Sequence, residues 1–241
     1  MNEPVLQVSG VSVVLDGESV LEDISFSVRK GEALAIIGPN GAGKSVLLKA
    51  LLGLVPSQGS IMWAKGVHIG YVPQRFHPDR TIPLTVKELL LFKSPAFWRP
   101  TKDFFAHLDH ELSIVGLKKE ILGHHVSDLS GGQFQRLMIA WAMTGHPDVL
   151  LFDEPTAGID VGAEETIYSI LHRLQKERGT TVLLVSHDLS IVYRYSQHVL
   201  CINKKMICHG APEDVLTPGD LKRIYGETGF YHHHEDPTRT T

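Results

Sequence analysis

The sequence predicts an α/β domain with a mostly parallel sheet, an antiparallel β edge at its N-terminal end and a helical subdomain. Three observations carry that prediction. The first 30 residues alternate apolar and polar positions, the period of half-buried strands. The later runs Ala33–Ile37, Val149–Phe152 and Thr181–Val185 are apolar without alternation, as strands buried on both faces of a parallel sheet must be, and helix-like stretches separate them. Finally, a glycine-rich octet, residues 38–45, lies between the first of those runs and a helix-like stretch.

Taken in order, Val5–Val8 and Val11–Leu15 precede a turn at Asp16-Gly17, and Ile24–Val28 completes the antiparallel edge. Ala33–Ile37 is the first core strand, followed by the octet and a helix over Val46–Leu54. Ile69–Val72 is a further strand with Gln74 just beyond its end. From about 76 to 127 the chain is richer in Leu, Lys and His, with helix-like stretches at Val86–Lys93 and Phe104–Val115, and this insertion is assigned to the helical subdomain. Ser130, Gly131 and Gly132 open a helix over Gln133–Thr144. Val149–Phe152 ends in the carboxylate pair Asp153-Glu154, and Thr181–Val185 leads into Ser186-His187-Asp188. Val199–Ile202 and Met206–Cys208 flank Asn203-Lys204-Lys205 as a hairpin, and residues 230–241 form a polar tail containing His232, His233 and His234.

Composition narrows the function classes. With 241 residues, 43% apolar and 21% charged, the chain can bury one sizeable core and has the balance of an ordinary globular domain. A formal net charge of −4 without a Lys/Arg block argues against a nucleic-acid partner. No apolar run approaches the ~20 residues that span a bilayer, and Met1-Asn2-Glu3-Pro4 lacks a basic-then-apolar leader, so a cytoplasmic chain is expected. Cys201 and Cys208 belong to no C-x-x-C pair and are read as buried, reduced thiols.

The octet Gly38-Pro39-Asn40-Gly41-Ala42-Gly43-Lys44-Ser45 fits G-x-x-x-x-G-K-[ST] in the strand–loop–helix setting that a phosphate loop requires, which makes the core that of a P-loop NTPase. Its glycines let backbone N–H groups approach phosphate oxygens, and the helix start adds the positive end of its dipole. Lys44 supplies a cation for the β- and γ-phosphates of ATP, and the Ser45 hydroxyl is suited to Mg²⁺. Of the carboxylates at the apolar strand end, Asp153 is assigned to Mg²⁺ and Glu154 to deprotonation of the attacking water. Gln74 can present its amide oxygen to Mg²⁺ or to that water. Ser130, Gly131, Gly132 and Gln133 make a second cluster of helix-terminal N–H donors suited to an anion.

Leu129-Ser130-Gly131-Gly132-Gln133 is what a simple P-loop ATPase lacks, and with it the chain resembles the nucleotide-binding subunit of ABC transporters. The likeness also takes in Gln74, Asp153-Glu154-Pro155-Thr156, Ala157-Gly158-Ile159-Asp160 and Ser186-His187-Asp188, in family order. The resemblance implies that His187 contacts the γ-phosphate. It implies too that Ser130–Gln133 faces the nucleotide of a second copy in a head-to-tail homodimer, with Asp160 helping to join the halves. An integral membrane permease, an extracytoplasmic solute-binding protein and a peripheral place on the cytoplasmic face of the membrane follow from the same likeness.

Two positions depart from the family pattern. Leu15 stands where an aromatic residue commonly stacks on adenine, leaving Leu15 and Val20 to supply apolar contact, and Val46 stands where a Thr hydroxyl commonly reaches the α-phosphate. For the cargo, Pro73-Gln74-Arg75 and Asp79-Arg80-Thr81-Ile82-Pro83 resemble the corresponding stretch of zinc and manganese importers, and the His232–His234 tail has donors suited to Zn²⁺. Iron chelates or another small solute remain alternative cargoes. A soluble ATPase acting away from the membrane is the rival class; the long coiled-coil insertion or duplicated motor expected there is missing.

Overall fold

The computed structural model describes residues 3–74, 83–94, 99–154 and 161–229, with the backbone alone at 161–166 and 227–229. The described elements are β1 (Pro4–Leu15), β2 (Glu18–Arg29), β3 (Ala33–Ile37), α1 (Lys44–Leu51), β4 (Gln58–Trp63), β5 (Ile69–Val72), α2 (Val86–Leu91), α3 (Lys102–Ile114) and α4 (Gly131–Met143). They continue with β6 (Val149–Asp153), α5 (Val161–Arg178), β7 (Thr181–Val185), α6 (Leu189–Tyr195), β8 (His198–Asn203), β9 (Lys205–Gly210), α7 (Pro212–Val215) and α8 (Pro218–Gly229). Contacts divide these elements into two compact units, one built from the chain up to Ala64 and again from Leu184, the other from Lys65 to Leu183.

In the first unit, β1 and β2 form the antiparallel hairpin that the alternation predicts. Asp16 and Gly17 both take positive φ, 50° and 82°, the turn whose twist matches a two-residue hairpin and which Asp-Gly favours. β4 pairs with the other side of β1, giving the order β2-β1-β4. Sequence reading missed β4, whose Gln58-Gly59-Ser60 start dilutes the apolar pattern. β3 runs parallel to β8, and β8 turns through Lys204, at φ 60°, into antiparallel β9, confirming that hairpin. Ala35 and Ile37 of β3 pack with Val192, Val199, Leu216, Leu221 and Ile224 in one buried cluster, so helices α6 to α8 cover this strand.

Cys201 and Cys208 are direct partners across β8 and β9, with Cα atoms 4.9 Å apart. The antiparallel register, not the spacing in sequence, puts them within bridging distance.

In the second unit, β5 and β6 are parallel, pairing Ile69 with Val149 and Val72 with Phe152. Every residue of β6 is buried, as the apolar run predicts. α4 carries Leu137, Met138, Ile139, Ala140, Ala142 and Met143 as its buried face. Residues 83–129 hold α2, α3 and two short 3-10 turns, at Lys119–Gly123 and Val126–Asp128. Thr85 closes a capping box with Glu88, which starts α2 where the first apolar residue falls. Helix bounds shift by a few residues from those expected: α1 starts at Lys44 and α4 at Gly131, each two residues early, because Gly43 and Ser130 serve as their caps. Among the described residues no helix is long and apolar enough to cross a membrane.

Candidate nucleotide site

The phosphate loop lies wholly in the first unit. Gly38 is buried, and a Cβ built there would stand 2.1 Å from the Ile202 carbonyl oxygen, so the loop leaves β3 through a gap that admits no side chain. Gly43, at φ 93°, caps α1, and a Cβ there would meet Leu21 Cδ2 at 2.6 Å. Gly38 and Gly43 are therefore set by close approach of β8 and β2 as much as by turn geometry, whereas Gly41, at φ 80° with open space around it, is set by turn geometry alone. Within the loop, Ala42 N–H donates to the Pro39 carbonyl at 3.1 Å, while Asn40 and Gly41 are exposed at its tip.

Lys44 is 6% exposed, and its Nζ donates to the carbonyls of Gly38 at 2.8 Å and Pro39 at 3.1 Å. The cation is thus held over its own loop by acceptors that a phosphate oxygen can replace, since charge-assisted bonds to an anion are the stronger kind. Ser45 and Val46 follow in the first turn of α1, both half-buried. Leu15, the last residue of β1, and Val20 are half-buried, and the Val20 carbonyl lies beside Gly43, so the β1–β2 hairpin borders the loop. After β7, Ser186 is 1% exposed and accepts the Asp188 N–H at 3.1 Å, and Asp188 caps α6 through Ser190 N–H at 2.8 Å. His187 is exposed between these two anchors, on a connector fixed at both ends.

The carboxylates lie in the second unit. Asp153 is 2% exposed at the end of β6, where a charged oxygen requires partners. Tyr71, on the neighbouring strand β5, is hydrogen-bonded to it; burial first, and then the Asp153 charge, push the phenol up to about 12, so the hydroxyl remains a donor to the carboxylate. Sequence reading passed over Tyr71; its signal was the register, which sets Tyr71 opposite Leu151, two residues before Asp153. Glu154 follows in left-handed backbone, φ 46°, a conformation uncommon outside glycine. Its Oε2 accepts a hydrogen bond from Gln74 Nε2 at 2.5 Å, so the two strand ends bring together the residues assigned to water activation.

Ser130 caps α4, its Oγ accepting Gln133 N–H at 3.3 Å and its own N–H donating to Gln133 Oε1 at 3.0 Å. Gln133 is therefore occupied as the partner of a capping box. Gly131 and Gly132, the first two helical residues, have N–H groups with no acceptor in the helix itself, which keeps the anion reading but confines it to fewer donors than expected. Asp160 and His232–His234 lie outside the described residues, as do Arg75 to Ile82.

A strand–loop–helix phosphate grip, a buried aspartate at a parallel strand end and a second glycine-led helix start define an ATP-binding cassette. The family model described as ABC transporter matches residues 21–157, and the chain belongs to that family as an ATP-binding, ATP-hydrolysing subunit. It is 37% identical over 244 residues to the "Zinc import ATP-binding protein ZnuC" of Haemophilus influenzae, covering 99% of this chain and 88% of that one. It is 40% identical over 228 residues to the protein of the same name from Yersinia pestis, covering 91% of this chain and 84% of the relative. Among solved structures it is similar to cbiO1 from Clostridium perfringens, part of the ABC transporter complex cbiONQ, with a TM-score of 0.78 at 28% identity, covering 92% of this chain and 94% of that one. It is also similar to the ADP conformation of an ATP-binding cassette of an ABC transporter, with a TM-score of 0.79 at 25% identity, covering 93% of this chain and 99% of that one.

Proposed function

We propose that this chain is the motor of a zinc importer: it hydrolyses ATP on the cytoplasmic face of the membrane to drive Zn²⁺ through a separate permease. The observation that carries the reading is that relatives named as zinc import ATP-binding proteins align along nearly its whole length. The chemistry is compatible with that role, since a motor needs a phosphate grip, a base and a state sensor, and residue types suited to all three are present.

In this reading the loop Gly38–Ser45 cradles the phosphates, and Lys44 leaves the Gly38 and Pro39 carbonyls for the β- and γ-phosphates. Glu154 takes a proton from the attacking water and Gln74 holds that carboxylate in place. His187 contacts the γ-phosphate from its anchored connector. Leu15, Val20 and Val46 border the nucleotide. Ser45, Gln74 and Asp153 would each offer Mg²⁺ an oxygen donor, and Asp153, buried and steadied by a tyrosine hydroxyl, is a hard, oriented ligand. When bound, the ion neutralises phosphate charge; the protein groups named do the positioning and the proton transfer.

The glycine amides opening α4, with Ser130 and Gln133, and Asp160 belong in this scheme to contacts with a second copy, giving a head-to-tail homodimer with two nucleotides. Residues 76–127 act as the helical subdomain that passes its movement to the permease, and an extracytoplasmic solute-binding protein delivers the ion.

The test is elemental analysis of zinc, manganese and iron in the native host under metal-poor growth, comparing the natural chain with Glu154→Gln at equal expression. A selective fall in zinc is expected. A selective fall in manganese or iron assigns a different cargo to the same motor, and unchanged metals overturn metal import altogether.

A further inference from the structure

Within the second unit, one group of side chains has no part in nucleotide chemistry. His107 and Glu111 are four residues apart on α3, hence on one face, and His146 is held against them by the turn after α4, where its φ is 53°. The two imidazoles lie 4.2 Å apart between ring centroids, and one ligand atom from each of the three residues falls within 4.8 Å of the others. His107 Nε2 is buried and has no hydrogen-bond partner; its nearest carboxylate oxygen, Glu111 Oε1, is 3.6 Å away. Glu111 is itself fully buried and accepts from Arg178 at 2.9 and 3.2 Å, so the carboxylate is oriented while the imidazole beside it is not satisfied.

A buried polar nitrogen without a partner costs free energy unless something fills the gap. Packing alone explains why two rings stack, but not why a lone nitrogen points into a pair of metal-ligating neighbours. We infer that His107, Glu111 and His146 form a divalent transition-metal site, with Zn²⁺ the best-suited ion. Two imidazoles and one carboxylate are a zinc donor set that leaves a fourth position for water, and imidazole disfavours Mg²⁺ and Ca²⁺. Tetrahedral ligation asks the donors to draw in to about 3.3 Å from one another, a closure that rotation of the exposed His146 supplies. That exposure also gives the ion an entry path. Arg178 plays the part of an outer partner that fixes the ligating carboxylate, and its positive charge makes the site exchangeable rather than permanently filled. Occupancy ties α3 to the turn between α4 and β6. The inference stands whether or not zinc is the transported ion.

The test is equilibrium dialysis with Zn²⁺ on the full chain, nucleotide-free, with His232, His233 and His234 replaced by Ala so that the tail contributes nothing. Zinc binding by this protein is expected to weaken about tenfold or more on adding His146→Ala, and likewise on adding His107→Ala. Zinc is also expected to raise the melting temperature of the tail-substituted protein but not that of the His146→Ala version. His146 is exposed, so its loss leaves the fold intact and its result decides even where His107→Ala unfolds. Zinc affinity and zinc-induced stabilisation unchanged by His146→Ala overturn the site.

Discussion

Gln74 donates its side-chain amide to Glu154 across 2.5 Å, joining the end of β5 to the end of β6. A residue 80 positions upstream thereby sets the direction of the carboxylate assigned to water activation. Removing the amide with Gln74→Ala takes away one bond to a charged group, about 1.5–3 kcal/mol, and should lower kcat by roughly 10–100-fold while ATP binding persists. Gln74→Glu sets two carboxylates side by side, which resist shared ionisation, so the acid limb of the pH–rate profile should move to higher pH. Steady-state ATPase assays against pH decide both, and an unchanged kcat in Gln74→Ala would remove Gln74 from the machinery.

Gly38→Ala probes the loop's exit from β3. A methyl group 2.1 Å from the Ile202 carbonyl forces the β3–β8 pair to part, and overpacking of this kind costs about 1–3 kcal/mol or more. Denaturant unfolding should show the loss in the absence of nucleotide. Full stability would mean that the loop, not the strand, sets the need for glycine.

The departure at Leu15 gives a gain-of-function expectation. Leu15→Tyr puts an aromatic face at the end of the β1–β2 hairpin, and stacking on a base is worth about 1–3 kcal/mol, or roughly five- to hundredfold in Kd. Nucleotide titration should show tighter ATP binding. An unaltered Kd would separate the hairpin from adenine recognition.

His209 supplies the pH dependence. Its ring on β9 lies edge-on to Phe26, 6.4 Å away, and 6.2 Å from the His198 ring, whose Nδ1 lies 2.6 Å from Glu32 Oε1. Partial burial first, and His198 second, hold the His209 imidazole below the usual histidine range, against the pull of Glu32. A depressed folded value means that the neutral ring stabilises the fold above an unfolded pKa of about 6.5, and that this contribution fades as pH falls through the folded value. Thermal melting should therefore decline as pH drops from about 7 to 5, and His209→Gln should flatten the decline. Parallel curves for both proteins would rule His209 out as the source.

Strands β3 and β7 begin and end where the apolar runs do, because a strand buried on both faces writes its burial directly into residue type. The phosphate loop and the carboxylate pair were likewise legible, since their chemistry requires particular residues at fixed spacing. Cap positions were less so: Ser130 and Gly43 end up as helix caps, and the helices begin earlier than hydrophobic periodicity alone suggests. The pairings Tyr71–Asp153, Gln74–Glu154, Cys201–Cys208 and His107–Glu111–His146 needed the fold. Each joins residues through strand register or the packing of one helix on another, and neither register nor helix packing leaves a mark on local sequence. The sequence by itself thus determined the class of this protein, an ATP-binding cassette, and where its glycine loop and strand-end carboxylates fall along the chain. Only the tertiary structure decided which side chains hold the carboxylates in place and which histidines meet, because those distances are set by strand pairing across many residues rather than by neighbours along the chain.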